Sequence, residues 1–530
     1  MTDKQPIYIL PENVQRTIGK DAQRNNILAA RVIAEVVKST LGPKGMDKML
    51  VDSTGNIVVT NDGVTILEEM EIDHPAAKMV VEIAKTQEEE VGDGTTTVAM
   101  LAGKLLENAE NLLDKKIHPT VIAKGYRLAA EKSKEILNEI GIEVNDKEIL
   151  RKIAMTAMTG KGAEGNREKL GDLIVRAVDQ VSSGSEVDIA DIKIEKLRGD
   201  EIGNSELIQG IVLDKEIAND SMPKNIQNAK IALVDFPLEL KSPETEARIS
   251  VSSPEQLQSF IDSEERFLKD LTEKLIKSGA NVIFCQKGID DVAQYYLAKA
   301  GIMACRRVSK NDMEKLSRAT GGKIVSSISE LEGNFGKAGI VEEIKRGSDG
   351  MIYVRNCENP KAVTILVKGS TSHIVEEIER AVKDGLGDVI AAVKSRKVVS
   401  GGGAVEMELA RRLRQYSRTL GGREQLAVEV FADALEFIPE TLAENAGLDP
   451  IDILTELKKR HEAGMARDGI NLFNNKIEDC FEAGIVEPLK VKKQAISSAS
   501  EVAVMILRID DVLISSGNSK AKMNPYTGMD

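Results

Sequence analysis

The sequence predicts a multidomain α and α/β protein: a mainly helical domain assembled from both ends of the chain, with an α/β segment inserted in the middle. Three observations predict it. The chain has 530 residues, too many for one hydrophobic core and enough for three or four domains. Apolar residues recur at helical spacing towards both ends. Between about residues 200 and 370 the texture changes to short β-like runs separated by helical stretches.

From Ala22 to Ser39, the residues Ile27, Leu28, Val32, Ile33, Val36 and Val37 recur every three or four positions, the mark of an amphipathic or buried helix. Leu41-Gly42-Pro43 stops it. Met49 to Asp52 and Ile57 to Thr60 flank the polar turn Ser53-Thr54-Gly55-Asn56 and read as a hairpin. Asn61-Asp62-Gly63 is a second turn. Helices are expected from about Pro75 to Glu90 and, after Gly92-Asp93-Gly94-Thr95-Thr96-Thr97, through about Leu113. In the middle, Ile231 to Val234, Val282 to Phe284, Lys323 to Val325, Ile352 to Val354 and Val363 to Val367 read as strands. Ser253 as N-cap, Pro254 at the first position and Gln256 closing a capping box start a helix there. Its stripe is Leu257, Phe260, Ile261, Phe267, Leu268, Leu271 and Leu275, and the half from Leu268 onward is expected to pack on its host domain. After Gly401-Gly402-Gly403 come helices Glu406 to Tyr416, Arg423 to Asn445 and Asp449 to Glu462. The tail from about Ser515 is polar and expected to be disordered.

Composition removes several function classes. The formal net charge is −14, which speaks against a general nucleic-acid binder. No apolar run approaches the roughly 20 residues of a membrane helix, and Met1 to Gln5 shows no apolar signal core. Cys285, Cys305, Cys357 and Cys480 are too far apart for a zinc knuckle or redox pair, and too few for a disulfide framework. A reducing, cytoplasmic setting is expected. Aromatic residues are only 3% and Trp is absent, so the core must be aliphatic.

The strongest chemical signal is Gly92-Asp93-Gly94-Thr95-Thr96-Thr97 at a helix start. Glycines let backbone approach phosphate oxygens, and the exposed N–H groups favour an anion there. Asp93 is poorly suited to phosphate alone but well suited to a Mg²⁺ ion that bridges phosphates. Read by itself, the segment is more simply a plain N-cap. Leu41-Gly42-Pro43-Lys44-Gly45 and Gly401-Gly402-Gly403 are further glycine-rich turns, whose plain readings are a C-cap and a hinge. None is a Walker A loop or a dinucleotide fingerprint.

Taken together, these segments resemble those of chaperonins in order and spacing. Leu41 to Met46, Asn61-Asp62-Gly63, Gly92 to Thr97 and Val399-Ser400-Gly401-Gly402-Gly403 are similar to the shared nucleotide motifs. Arg16 to Ala22, Met155 to Lys161, Leu442 to Asp449 and Gly484 to Pro488 resemble group II members, the archaeal thermosome most. The resemblance covers nearly the whole chain. It implies that Leu41, Gly42 and Pro43 line a pocket for ATP or ADP, that Asp93 ligates Mg²⁺, and that Gly94, Thr95, Thr96 and Thr97 bind phosphates. Asp62 and Asp384 would position and polarise the attacking water, and Lys161 would sense the γ-phosphate. Gly402 and Gly403 would allow close approach of the nucleoside, and Glu487 would accept from ribose hydroxyls.

The implied architecture is equatorial (1–145 and 401–530), intermediate (146–213 and 366–400) and apical (214–365), with a helical lid protrusion at about 241–272. The implied function is an ATP-driven chaperone that encloses non-native proteins in a double ring of eight or nine identical or homologous subunits. No separate lid co-chaperonin, nucleic acid or membrane would take part. One departure stands out: Asp384-Gly385-Leu386-Gly387-Asp388 carries two glycines, each weakening a helix by roughly 1 kcal/mol, and a charge where the face should be apolar. That leaves a ring-forming holdase or structural subunit with weak ATPase as the alternative, and a small-molecule kinase or ligase as a more distant one.

Overall fold

The computed structural model describes residues 14–51, 53–144, 146–182, 184, 186–239, 254–346 and 349–515. Fifteen α-helices lie among the described residues: α1 (Gly19–Lys38), α2 (Gly63–Glu69), α3 (Pro75–Val91), α4 (Thr95–Asp114), α5 (Pro119–Ile140), α6 (Lys147–Ala157), α7 (Arg167–Val181), α8 (Pro254–Lys277), α9 (Asp291–Lys299), α10 (Lys310–Thr320), α11 (Ser372–Ser395), α12 (Ala404–Ser417), α13 (Glu424–Asn445), α14 (Pro450–Glu462) and α15 (Leu489–Leu507). The chain divides into two compact units. One draws on Met1–Gly141, Val399–Ile485 and Val491–Asp530; the other draws on Ile142–Val398 and Val486–Lys490.

The first unit is a helical assembly centred on α4. This helix buries Val98 to Ala102, Leu105, Leu106, Ala109 and Leu112, and packs against α1, α3 and α13. Small residues let the helices approach. A Cβ on Gly103 would lie 2.4 Å from Ala34 Cβ on α1, and one on Gly125 of α5 would lie 2.4 Å from Ala427 Cβ on α13. Tyr126 is wholly buried; its hydroxyl donates to the Leu105 carbonyl at 2.7 Å and its ring meets Phe431 edge-on. The expected hairpin is Lys48–Val51 paired antiparallel with Ile57–Thr60, Met49 opposite Val59. Strand Val14–Ile18 pairs antiparallel with Asp511–Ser515.

The second unit contains a mixed seven-stranded sheet. Its path runs Met303–Cys305, Val282–Cys285, Asn225–Val234, Gly336–Arg346, Asp349–Arg355 and Ile211–Leu213, with Ile324–Val325 paired to the side of Asn225–Val234. Strand Gly336–Arg346 has no clear period-2 pattern and was not expected. Its ladder to Asn225–Val234 and Asp349–Arg355 holds it in place. A three-stranded sheet orders Ile192–Arg198, Val363–Gly369 and Glu206–Ile208.

In α8, Leu268 and Leu275 are buried and Leu271 packs against the sheet's core, whereas Phe267 is 59% exposed. Residues 241–253 of the expected lid, with its Ser253 cap, lie outside the described residues, as does the tail beyond 515.

Helix α11 runs without a break through Gly385 and Gly387. The two glycines predict a weakened helix here, and the structure keeps it whole. Packing overrides propensity: a Cβ on Gly385 would come within 2.9 Å of Ile174 Cδ1 on α7. Asp388 lies buried on that helix, 2% exposed.

Candidate functional site

In the first unit, four glycine-bearing turns are braced by neighbouring elements. Asp62 caps α2: its Oδ2 accepts from the Thr65 N–H at 3.0 Å and from the Thr65 hydroxyl at 2.6 Å. Its Oδ1 lies 3.5 Å from the Thr95 hydroxyl at the start of α4. Gly63 makes this approach possible, since a Cβ there would sit 2.6 Å from Thr96 Oγ1 and 3.0 Å from Thr96 N. The turn Asn61-Asp62-Gly63 and the segment Gly92 to Thr97, some thirty residues apart, thus meet at one place.

Gly92 ends α3 with φ +86°, and Gly94 precedes α4 with φ +84°. Both conformations favour glycine. Asp93 Oδ1 accepts from the Gly94 N–H at 2.7 Å, and the Asp93 carbonyl accepts from Gln87 Nε2 at 2.9 Å. The first intrahelical bond is Val98 N–H to Gly94 O at 3.0 Å. The N–H groups of Thr95, Thr96 and Thr97 therefore have no acceptor within the helix and suit an anion.

Gly42 (φ +80°) and Gly403 (φ +78°) both abut α13, one turn apart. A Cβ on Gly42 would lie 2.4 Å from Leu442 Cδ2, and one on Gly403 would lie 2.7 Å from Pro439 Cβ. Asn445 fastens the first turn, its Nδ2 donating to the carbonyls of Lys38 at 3.0 Å and Leu41 at 2.9 Å. Pro43 follows in the same turn, which closes with Gly45 N–H to Gly42 O at 2.9 Å. Gly402 (φ +63°) accepts at its carbonyl from the Ile470 N–H at 2.8 Å. Val491 touches the site of a Gly94 Cβ, at 3.0 Å, and the adjacent Lys492 pairs with Glu406 in the first turn of α12 at 2.9 Å. Sequence reasoning missed these braces. Only Asn445 had a signal, because it lies inside Leu442 to Asp449, a segment similar to group II chaperonins.

The second unit brings Lys161 and Asp384 together as an ion pair, both largely buried. The loop after α6 is tied down by the Gly162 N–H, which donates to Glu377 Oε1 of α11 at 2.7 Å. Glu487 lies on strand Val486–Pro488, which packs against α6 and α11. The Val486 N–H donates to the Thr156 hydroxyl at 3.4 Å.

The donor set fits a nucleotide with Mg²⁺. Open backbone donors sit beside a carboxylate, and among the described residues no cluster of three or more His, Cys, Asp or Glu side chains could hold a metal unaided. A Mg²⁺ site with one protein carboxylate takes its other ligands from phosphates and water.

Known proteins agree in kind. The profile of the TCP-1/cpn60 chaperonin family matches residues 33–516. The chain belongs to the TCP-1/cpn60 chaperonin family. This chaperonin is 58% identical over 529 residues to thermosome subunit beta of Methanothermobacter thermautotrophicus, covering 99% of this chain and 98% of that one. It is also 58% identical to thermosome subunit beta of Archaeoglobus fulgidus, over 98% of this chain and 96% of the other. Against the thermosome subunit of Pyrococcus horikoshii the identity is 55%, over 98% of this chain and 96% of the other. At these identities over nearly full length, its fold and function are those of a group II chaperonin, a molecular chaperone that assists protein folding.

Proposed function

We propose that this chaperonin binds ATP with Mg²⁺ and hydrolyses it to ADP and phosphate to drive a cycle of client enclosure. Asp93 holds the Mg²⁺, which neutralises phosphate charge when bound. The N–H and hydroxyl groups of Gly94, Thr95, Thr96 and Thr97 bind phosphate oxygens, and Leu41, Gly42, Pro43, Gly402 and Gly403 line the nucleoside end. Glu487 accepts from the ribose. Asp62 and Asp384 align the attacking water and take its proton, a task suited to carboxylates in phosphoryl transfer. Lys161 answers to the γ-phosphate. The observation that carries this reading is the approach of Asp62 to Thr95, which joins a candidate water-aligning carboxylate to the candidate phosphate loop.

The working particle is a double ring of eight or nine identical or homologous subunits, in the cytoplasm. It comprises equatorial, intermediate and apical parts within the boundaries given above and a built-in lid. Met49, Val51, Ile57 and Val59, between 46% and 68% exposed on the first unit's hairpin, form apolar surface of the kind that subunit contacts cover. Each nucleotide state shifts the open–closed equilibrium by binding the two forms differently.

Steady-state ATPase of the assembled particle is the test. Asp93→Ala and Asp384→Ala should each lower turnover at least about a hundredfold, while electron micrographs still show rings. Wild-type turnover in both variants sinks the assignment.

A further inference from the structure

Glu408 is wholly buried on α12, four residues past its start, and His461 of α14 is 1% exposed beside it. Nδ1 of His461 lies 3.1 Å from Glu408 Oε2, and Nε2 lies 2.9 Å from the backbone carbonyl of Asp468. A backbone carbonyl only accepts, so the Nε2–H donates to Asp468. Two arginines complete the carboxylate. Arg411 donates to both Glu408 oxygens, at 2.6 and 3.1 Å, and Arg412 Nε donates to Oε1 at 2.6 Å. Burial opposes the charge on Glu408, but hydrogen bonds from His461, Arg411 and Arg412 outweigh it and hold the carboxyl at about 2.

Asp468 opens strand Asp468–Asn471, and Arg460 Nη1 grips its carboxylate at 2.8 Å. Two residues on, the Ile470 N–H donates to the Gly402 carbonyl at 2.8 Å. Gly469 permits this contact, because a Cβ there would sit 2.8 Å from the carbonyl oxygens of both Gly401 and Gly402. Gly402 and Gly403 in turn lead into α12, which carries Glu408. The links form a closed circuit: Glu408, His461, the Asp468 carbonyl, Ile470, Gly402, and back along α12.

We propose that His461 is a positioning residue for nucleotide binding, its Nε2–H fixing strand Asp468–Asn471 and thereby the Gly402–Gly403 turn at the nucleoside end of the site. This rests on the reading that Gly402 and Gly403 face the nucleoside. His461 touches neither nucleotide nor reacting atoms, so its loss should weaken binding and spare the chemical step.

His461→Gln sets its amide nitrogen near the place of Nε2 and keeps the donor to Asp468. His461→Asn sets it near Nδ1, so it reaches Glu408 but leaves the Asp468 carbonyl without its donor. In the full-length assembled particle, His461→Asn should raise the ATP KM and the calorimetric Kd for Mg-ADP about tenfold, with kcat within twofold of wild type. His461→Gln should restore both constants to within about threefold. A merely structural role would lower the melting temperature of both variants alike and leave KM in place. Equal nucleotide affinity in the two variants overturns the proposal, and so does a loss confined to kcat. Asp93→Ala separates the two failures. If wild type binds Mg-ADP and Asp93→Ala does not, an unchanged His461→Asn defeats the positioning role alone. If wild type binds no Mg-ADP, the nucleotide reading fails first and this proposal fails with it.

Discussion

Replacing Gly103 by alanine would force a choice between helix propensity and packing. The new methyl would gain roughly 1 kcal/mol of intrinsic helix stability in α4. It would also sit 2.4 Å from Ala34 Cβ and 3.2 Å from the Ala30 carbonyl oxygen. Ordinary carbon–carbon contact needs about 3.5–4 Å, so α1 and α4 must part by roughly 1–1.5 Å along this face. Neither obstacle is the tip of a flexible side chain, so the upper part of the usual overpacking range of about 1–3 kcal/mol applies. Packing wins, and Gly103→Ala should destabilise by about 1–2 kcal/mol net of the propensity gain. Ala34→Gly alone should cost about 1–2 kcal/mol, from lost propensity and one buried methyl. The double variant merely exchanges the two residues, so it should be more stable than the sum of the singles by at least about 1 kcal/mol. Guanidinium unfolding midpoints of the four proteins measure the cycle. The same series read for ATP KM tests a consequence: α1 ends at Lys38, just before Leu41, and α4 begins at Thr95. Stabilisation by Gly103→Ala, or strict additivity in the double variant, would refute the packing argument.

Two further predictions concern buried titratable groups. The Glu408 carboxyl lies well below its ordinary 4.5, at about 2, so the stability it contributes is complete above pH 4.5 and is lost as pH falls towards 2. The difference is worth about 3 kcal/mol. Wild type should lose stability across that window faster than Glu408→Gln, and parallel acid-unfolding curves would contradict this. All four cysteines are free and buried, and burial pushes the Cys285 thiol up to about 11 and the Cys305 and Cys357 thiols up to about 12. At pH 8 these three should stay neutral and resist alkylation until the protein unfolds; rapid labelling of the native particle, read by mass spectrometry, would show otherwise.

Features whose causes are local in sequence were legible. The hairpin at Met49 and Val59 follows from two apolar runs around one turn, and the helix start at Gly94 follows from a glycine and three threonines. Strand Gly336–Arg346 was not legible, because Glu342, Glu343 and Lys345 blur its alternation and only its neighbours fix it. Charge burial was equally hidden. Glu406-Met407-Glu408 looks like a solvated helix face, and Arg411 and Arg412 look like ordinary helical partners. Its buried partner is His461, 53 residues further on. Asn445 likewise finds Leu41 at a separation of 404 residues, beyond any periodicity argument.

Gly385 shows how such a gap misleads. Counted as propensities, Gly385 and Gly387 weaken α11 by roughly 2 kcal/mol in all, which predicts a soft support for Asp384. In the fold, Val382, Leu386, Val389 and Ala392 are wholly buried around them, and α6 and α7 both pack on this helix. Burial of even two such side chains is worth about 3 kcal/mol or more, enough to offset both glycines. The glycine at 385 then reads as clearance for Ile174 rather than as slack. A firm α11 answers only the part of the holdase argument that rested on the two glycines, because Asp384 stands on a packed helix and pairs with Lys161; the ATPase assay decides the rest.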